Sequence, residues 1–402
     1  MGQWNEAKIR DFAEVKGGKR LPKGKQLIKE CNSHPYIRIR DLGKSKYLEL
    51  NADYEYVDDE TQQSIAKYIV NKGDILISVV GTIGLIGIVG DTLDKANQTE
   101  NCDKIINIKN VMPEYLYYYL ISSFGQDEIR KGTVGAVQPK LPLKNVQDIT
   151  VTYPPIEEQK RIIQILSFID NKIETNKKIN NNLEQQIKAL YNKFFVDTQN
   201  SEWNEVPFSK LIFFQEGPGI RNWQYVDEGV KFINIRCINN GNINTTTANK
   251  ISKEEAYGKY NHFLLEPYDI VMSCSGTLGR YAIVQEEHLP LCLNTSVIRF
   301  RPAQNKFDYS FVYGYMTSSE FLNQQIMMAN GSAQVNFGPT HLKQIVIKEP
   351  PIEIRKQFNE IVFPILNNMI CNRSENSKLA LLRDTLLPKL MSGELDVSDI
   401  DL

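Results

Sequence analysis

Basic, amide and hydroxyl side chains that could contact nucleic acid recur in glycine-containing loops of both halves of the chain. Arg and Lys can neutralise phosphates or pair with guanine, whereas Asn and Gln can pair with adenine. Taken singly, each is typical of a solvated surface, so the recurrence of the set is what favours a binding role. The candidate DNA contacts are Lys19, Arg20, Arg38, Thr82, Gln138 and Lys140 in the first half, and Arg221, Arg236, Thr277, Arg280, Gln334 and Asn336 in the second.

Motifs for catalysis, nucleotide binding and metal binding are missing from the sequence. It contains no GxxxxGKS or GxxxxGKT loop for nucleotide phosphates, no HExxH zinc motif and no GxSxG nucleophile motif. YPPI at Tyr153 and EPPI at Glu349 are only faintly similar to the Asn/Asp-Pro-Pro-aromatic motif of amino-methyltransferases. The six cysteines form no CxxC pair, so we interpret them as buried free thiols. We therefore expect no catalytic residue, no metal and no cofactor.

A long internal repeat organises the elements that position the candidate contacts. PPIEEQKRIIQIL begins at Pro154 and PPIEIRKQFNEIV begins at Pro350, 196 residues later, and the same shift carries Tyr119 to Tyr315. DILISVVGTIG and DIVMSCSGTLG, in the two halves, match with a shift one residue smaller. Such a repeat is too long for a solenoid, whose units have about 20 to 50 residues. It indicates a duplicated module, with recognition domains at 1–153 and 199–349 and helical segments at 154–198 and 350–402.

Each half mixes sheet and helix patterns. YIRIRDL from Tyr36 and FINIRCI from Phe232 alternate apolar and polar residues, which predicts strands with one buried face. Residues 74–89 and 269–284 predict strand, glycine turn and strand, since glycine permits positive φ. Aromatic-rich helices are predicted from Pro113 and from Phe307, with their aromatic residues in the core. The fold class is therefore α+β in both halves.

Each Pro-Pro stretch begins a helix with an apolar seam. Seam residues spaced alternately four and three apart extend from Ile162 to Phe194 and from Phe358 to Leu390. This spacing is typical of two helices packed lengthwise as a coiled coil. Pro364 lies inside the second helix and should kink or break it, because proline removes a donor and clashes with the preceding turn. Pro388 predicts a similar interruption near the end.

Asparagines occupy the same two seam positions in each helix, Asn176 with Asn180 and Asn372 with Asn376. Asparagine in an apolar seam fixes the register, since it needs a hydrogen-bonding partner opposite. We expect Asn176 and Asn372 to meet in an antiparallel pair around a pseudo-two-fold axis, although parallel pairing would also match them. Alternatively, these asparagines face solvent and the seam drifts toward Ile179.

Composition is that of an ordinary globular chain. Of the 402 residues, 42% are hydrophobic and 24% are charged, and the formal net charge is −1, which decides nothing about nucleic acid because basic groups can still collect on one face. The longest uncharged run, residues 75–90, is interrupted by glycines and is shorter than the roughly 18 apolar residues of a membrane span. The N-terminus has no apolar signal segment. We expect a cytoplasmic protein without a membrane partner.

Several segments together are distinctive of one protein family. They are GDILIS and GTIG in the first half, DIVMS and GTLG in the second, the helix starts PPIEEQKRI and PPIEIRKQF, the loop GSAQVNF, and LLPKLMSGEL from Leu386. Over nearly its whole length the chain resembles the specificity subunit of type I restriction-modification systems. The resemblance implies two target-recognition domains, each reading half of a split double-stranded DNA site, and an antiparallel coiled coil that sets their spacing.

The resemblance also implies a non-catalytic subunit of a phage-defence complex. Its partners would be two adenine-modifying methyltransferase subunits and, through them, restriction and translocase subunits. S-adenosylmethionine, ATP and magnesium would belong to those partners. Two other hypotheses are a helical protein-interaction scaffold that reads no DNA sequence, and an enzyme that combines recognition with catalysis. The second of these predicts activity from this chain alone.

Overall fold

The computed structural model describes residues 4–198, 202–239, 241–275, 278–329 and 337–397. Thr277, Gln334 and Asn336, three of the predicted DNA contacts, lie outside these ranges. The chain divides into unit 1, which is residues 1–172 with 379–402, and unit 2, which is residues 173–378. Part of each long helix belongs to each unit.

Within its described residues, unit 1 contains ten short strands and five short helices, followed by the first long helix. The strands are β1 Asn5–Lys8, β2 Glu14–Gly17, β3 Pro35–Ile37, β4 Tyr47–Leu48, β5 Glu55–Tyr56, β6 Ile75–Ser78, β7 Ile86–Val89, β8 Asn97–Gln98, β9 Cys102–Ile106 and β10 Thr150–Tyr153. The helices are α1 Ile9–Phe12, α2 Asp59–Ile65, α3 Pro113–Ile121, α4 Ser123–Gly132, α5 Leu143–Gln147 and the long α6 Ile156–Tyr191.

Unit 2 repeats this plan within its described residues. Its strands are β11 Glu205–Pro207, β12 Ile212–Glu216, β13 Tyr225–Val226, β14 Val230–Ile233, β15 Ile238–Asn239, β16 Asn242–Ile243, β17 Asn249–Ile251, β18 Ile270–Ser273, β19 Tyr281–Ile283, β20 Leu291–Leu293, β21 Val297–Pro302 and β22 Val346–Lys348. Its helices are α7 Lys253–Tyr257, α8 Tyr309–Met316, α9 Ser319–Ala329, α10 Pro339–Leu342 and the long α11 Ile352–Met391.

The sheets of the two units share a common strand order, to which unit 1 adds β4 at the edge of its larger sheet and unit 2 adds β13 at the edge of its smaller sheet. In unit 1 the larger sheet is β2-β9-β6-β7-β4 and the smaller is β5-β3-β8; in unit 2 the corresponding sheets are β12-β21-β18-β19 and β13-β17-β14-β20. Strand β3 pairs in parallel with β8, and β14 pairs in parallel with β20. The internal repeat is therefore a repeat of topology, and the predicted α+β fold with two similar domains and long paired helices is confirmed.

The predicted strand, glycine turn and strand of the first half form β6 and β7, and β6 is buried on both faces. Ile75 and Ile77 pack in the same core cluster as Tyr115 and Leu116 of α3, while Leu76 packs on the other side with Ile37. The aromatic-rich helix is therefore core, as predicted. Burial on both faces explains why this strand is a continuous apolar run without alternation.

The strands predicted from YIRIRDL and FINIRCI are shorter than their sequence patterns. Strand β3 ends at Ile37 because the Asp41 carboxylate accepts the Arg38 backbone N–H at 2.7 Å and turns the chain. Strand β14 ends at Ile233, and Asn234 Oδ1 then accepts the Arg236 N–H at 2.9 Å. Local side-chain to backbone bonds of this kind compete with sheet pairing.

In unit 2 the two long helices are antiparallel and meet through asparagines. Asn176 Nδ2 donates to Asn376 Oδ1 at 3.0 Å, and Asn372 Nδ2 donates to Asn180 Oδ1 at 2.9 Å. The predicted partners Asn176 and Asn372 do not meet, because the antiparallel register pairs the first asparagine of one helix with the second of the other. The solvent-facing alternative is also wrong, since Asn176 is 1% exposed and Ile179 is 41% exposed.

In unit 1 the remaining helical segments are antiparallel as well. Ile162 and Leu166 of α6 share a core cluster with Leu390 of α11. Farther along α6, Arg383 Nη1 donates to Asp170 Oδ1 at 3.1 Å. The residues that pack together thus run in opposite directions along the two helices.

The break predicted at the internal prolines is wrong, since α11 continues from Ile352 to Met391. Val362 and Leu366 flank Pro364 and are fully buried, and Leu390 is buried just after Pro388. Burying a Val or Leu side chain contributes about 1.5–3 kcal/mol, and proline inside a helix costs about 3 kcal/mol. Packing on both sides of each proline therefore offsets the lost hydrogen bond.

The asparagine pairs predict that leucine substitutions at the two partners have non-additive effects on the free energy of unfolding. Asn176→Leu alone should lower the free energy of unfolding by about 1–3 kcal/mol, because it leaves Oδ1 of the half-buried Asn376 without its amide donor. The double variant Asn176→Leu, Asn376→Leu should be more stable than the single variant, since both members of this hydrogen bond are then removed. Urea unfolding measures both values.

The matched control is Asn181→Leu, at an exposed position of α6, which should change stability by less than about 0.5 kcal/mol. A double variant less stable than the single variant would contradict the pairing.

Candidate nucleic-acid interface

Backbone hydrogen bonds bring the loops that carry the candidate contacts of unit 1 around one turn, residues 99–101. The Gly18 N–H donates to Cys102 O at 3.2 Å, and the Thr99 N–H donates to Ile37 O at 3.1 Å. Lys19 and Arg20 directly follow Gly18, and Arg38 directly follows Ile37. The first two candidate loops therefore leave the sheets beside the same turn.

The glycine turn and the glycine-polar loop join the same place. The Val79 N–H donates to Asn101 O at 2.8 Å, and the Leu141 N–H donates to Val79 O at 2.8 Å. Lys140 is bridged to Val80 in antiparallel fashion. The turn containing Thr82 thus lies next to the loop containing Gln138 and Lys140. We call the loops 18–20, 38–41, 80–84, 99–101 and 134–140 the loop edge of unit 1.

Unit 2 has an equivalent loop edge, formed in the described part of the chain by residues 217–224, 234–237, 275, 278–280, 294–296 and Phe337. The same four backbone bonds recur here, from Gly217 N–H to Val297 O at 3.3 Å, from Asn294 N–H to Ile233 O at 3.1 Å, from Cys274 N–H to Ser296 O at 3.1 Å and from Phe337 N–H to Cys274 O at 2.8 Å. The geometry that gathers the loops is therefore a property of both units.

Both candidate arginines of unit 1 already have acidic partners. Arg20 Nε donates to Glu100 Oε1 at 2.7 Å, and this contact raises the pKa of Arg20. Arg38 is half-buried and forms an ion pair with Glu55, and its Nε and Nη2 atoms have no partner among the described residues. Arg38 would have to rotate to reach a ligand, whereas Arg20 is exposed and needs only to exchange partners.

The other candidates of unit 1 are exposed. Lys19 Nζ lies 5.7 Å from the centroid of the Tyr68 ring, a cation–π contact. The Thr82 carbonyl accepts the Ser78 hydroxyl at 2.6 Å, which closes the glycine turn. Gln138 and Lys140 are solvent-exposed near the tip of their loop. These side chains can therefore contact a ligand without rearrangement of the core.

The three described candidate arginines of unit 2 are exposed and have no ion-pair partner among the described residues. Their backbones are held by local bonds: Gln224 Oε1 accepts the Arg221 N–H at 2.9 Å, and the Arg280 carbonyl accepts the Ser273 N–H at 2.9 Å. Arg236 follows the Asn234 turn described above. Unit 2 thus offers free guanidinium groups on fixed loops, the geometry that bidentate recognition of phosphate or guanine uses.

A carboxyl group beneath each loop edge, buried in unit 1 and half-buried in unit 2, was missed from the sequence. Asp103 of β9 is opposite Gly17, is buried, and has no partner for Oδ2 among the described residues. Burial raises the pKa of Asp103 to about 6. Glu216 of β12, opposite Ile298, occupies the corresponding place in unit 2, and burial raises its pKa as well. A charged residue inside the apolar strand CDKII was the available signal.

The cysteines form no metal site among the described residues, and none of the described helices is long and apolar enough to cross a membrane. Burial raises the pKa of Cys102, Cys274 and Cys292 to about 12, so these thiols are protonated near neutral pH. Cys31 and Cys371 are exposed, which corrects the prediction that all six are buried.

Comparison with known proteins gives consistent matches along the chain. The family model for the type I restriction modification DNA specificity domain matches twice, at residues 1–185 and 200–381. The MjaIX specificity subunit of Methanocaldococcus jannaschii is 24% identical over 99% of this chain and 94% of its own length. The HindI specificity subunit of Haemophilus influenzae is 23% identical, covering 91% of this chain and 96% of that protein.

A solved structure has the same fold. It is the S subunit of a type I restriction-modification system from M. genitalium, which matches with a TM-score of 0.56 and 17% identity over 97% of this chain and 96% of that chain. At this identity the match concerns the fold alone.

The raised pKa of Asp103 predicts that the free energy of unfolding depends on pH. The folded chain holds the Asp103 proton up to about pH 6, whereas the unfolded chain releases it near about pH 3.9. The carboxyl group therefore adds stability below about pH 4 that is lost as the pH rises through about 6. Asp103→Asn should raise the free energy of unfolding at neutral pH by up to about 3 kcal/mol and flatten its decline across this window. Urea unfolding at several pH values measures this.

The control, exposed Asp227→Asn, should follow wild type, and an unchanged pH profile in Asp103→Asn would contradict the assignment.

Proposed function

The chain belongs to the type I restriction modification DNA specificity family, and from that premise we propose that it reads a split double-stranded DNA site, one half with each unit. The loop edge of unit 1 reads one half-site and the loop edge of unit 2 reads the other. The candidate contacts on these edges supply phosphate and base contacts. The chain itself catalyses no reaction.

The observation that carries this proposal is the recurrence of the same four backbone hydrogen bonds in both units. They gather basic, amide and hydroxyl side chains at the loop edge of unit 1, and three arginines at the loop edge of unit 2, on backbone held by hydrogen bonds. Ordered loops lose little conformational entropy on binding, which favours specific readout. Because the side chains of the two edges differ, the two half-sites are expected to differ in sequence.

The long helices support a second role, the assembly of catalytic subunits. Phe168 of α6 is 73% exposed and Leu381 of α11 is 70% exposed, and exposed apolar side chains are typical of protein interaction sites. Two methyltransferase subunits would bind the chain, and restriction and translocase subunits would bind through them. S-adenosylmethionine, ATP and magnesium would be bound by those partners.

Exchange of one recognition domain tests the split-site proposal. Replacing residues 1–150 with the corresponding domain of a relative should change one half of the methylated sequence and leave the other half intact. Methylated adenines are mapped by sequencing DNA from cells that carry the partner methyltransferase with the wild-type chain, the exchanged chain or no specificity chain. A methylated sequence that stays the same after the exchange would contradict the proposal.

The salt dependence of DNA binding separates sequence reading from a scaffold that does not contact DNA. Arg221→Ala and Arg280→Ala should each weaken binding and lower the slope of log affinity against log salt by about 1, because each removes one phosphate contact. The control is Lys177→Ala, since exposed Lys177 pairs with Glu174 on the long helix α6 and belongs to neither loop edge. Fluorescence anisotropy of labelled DNA from about 50 to 200 mM salt measures the slopes, and salt-independent binding would favour the scaffold.

A further inference from the structure

Trp223 is an indole that the fold leaves in solvent. It is 80% exposed, in the middle of the single turn Asn222–Gln224 that directly follows Arg221. Tryptophan is usually highly buried on average, and aromatic side chains commonly bury 150–250 Å² each. An indole with this exposure adds little to folding stability, so its value lies in what it can contact.

The turn that carries Trp223 is fixed from beneath by Gln224, which is buried. Gln224 Oε1 accepts the Arg221 N–H at 2.9 Å, and Gln224 Nε2 donates to Glu255 Oε1 at 2.7 Å and to the Tyr260 hydroxyl at 3.1 Å. The indole is therefore presented by ordered backbone. A rigid aromatic side chain contacts a ligand with little loss of conformational entropy.

The same turn in unit 1 has no side chain at this position. The Lys25 N–H donates to Pro22 O at 3.0 Å, as the Gln224 N–H donates to Arg221 O at 3.0 Å. Counted from Gly18 and Gly217, Trp223 then corresponds to Gly24, which has a φ of 86°. The two loop edges share the turn and differ in whether it carries an aromatic ring.

The surroundings of Trp223 favour an anionic ligand with planar groups. Arg221, Arg236 and Arg280 on the same loop edge are exposed and have no ion-pair partner in the part of the chain that the structure describes. Guanidinium groups attract phosphates, while an aromatic ring can stack on a nucleic-acid base. DNA combines both features in one ligand.

We propose that Trp223 stacks on a base of the half-site read by unit 2, entering beside a base step that it partly unstacks. This inference rests on the proposed function. Apolar side chains inserted at base steps kink DNA and allow more of the protein surface to contact it. Trp223 would thus make unit 2 sensitive to how easily its half-site deforms, in addition to the bases that the arginines contact.

Fluorescence of Trp223 provides a direct test, because the chain has only two other tryptophans, Trp4 and Trp203. The full chain is combined with its methyltransferase partner and then titrated with duplex DNA that carries the mapped split site. DNA should quench the emission and protect it from acrylamide in wild type. In Trp223→Phe this change in emission should be absent, while DNA binding remains within about 5-fold of wild type because phenylalanine can still stack.

Trp223→Ala should weaken binding by about 5- to 150-fold, the loss expected for one stacked base. The effect should disappear when the half-site assigned to unit 2 is scrambled, and it should persist when the other half-site is scrambled. Tyr257→Ala is the matched control, an exposed aromatic side chain at the end of α7 and outside the loop edge, and it should leave DNA affinity unchanged. Equal melting temperatures show that the variants fold.

The outcomes separate this inference from the proposed function. If wild type neither binds nor methylates a split site, both fail. If wild type does so and Trp223→Ala binds with equal affinity, the stacking role alone is overturned. Protection of Trp223 by the methyltransferase partner without DNA also overturns it, because the indole would then belong to a protein interface.

Discussion

The loop edges depend on a close backbone approach that leaves no room for a side chain. A Cβ atom on Gly18 would lie 2.0 Å from the Thr99 carbonyl oxygen, and one on Gly217 would lie 2.5 Å from the Leu293 carbonyl carbon. Real Cβ atoms do not approach other atoms so closely, so both positions require glycine. This contact places the first candidate loop beside the turn to which the other loops are hydrogen-bonded. The arrangement of each edge therefore follows from backbone geometry and leaves the outward side chains free to vary.

The two units keep this backbone and change the side chains that support it. At the start of α6, Gln159 Oε1 accepts the Met112 N–H at 2.8 Å, whereas at the start of α11 the corresponding Arg355 forms a buried ion pair with Asp308. A side-chain amide in unit 1 and an ion pair in unit 2 thus each attach the start of a long helix to its domain. Removing one member of a buried ion pair costs more than replacing both, so Arg355 and Asp308 depend on each other for stability. The carboxyl group beneath each edge likewise comes from a different strand in each unit, Asp103 of β9 in unit 1 and Glu216 of β12 in unit 2.

The sequence predicted the duplication, the fold class and the helical seam because these depend on periodicity, which a single sequence displays. It did not predict which asparagines meet. The repeat equates Asn176 with Asn372, whereas contact across an antiparallel pair joins Asn176 to Asn376, and that register depends on packing along both helices. Strand β3 was predicted but is shorter than its sequence pattern, because the Arg38 N–H donates to the Asp41 carboxylate and turns the chain after Ile37. The effect of Pro364 on the helix was overestimated, because the rule that an internal proline breaks a helix does not consider the packing on both sides of it.

The described arginines of the two loop edges differ in whether they already form an ion pair with a carboxylate. An arginine that already holds a carboxylate, such as Arg20 with Glu100 or Arg38 with Glu55, must exchange that partner for a phosphate or base, and the released carboxylate then repels DNA. Arg221 and Arg280 carry no such cost within the described residues. The net charge of −1 averages over this difference, and so it cannot indicate how strongly either unit attracts DNA. Under the proposed function, Arg221 and Arg280 would each add more salt-dependent affinity than Arg20 or Arg38, because only the latter two must first release a carboxylate.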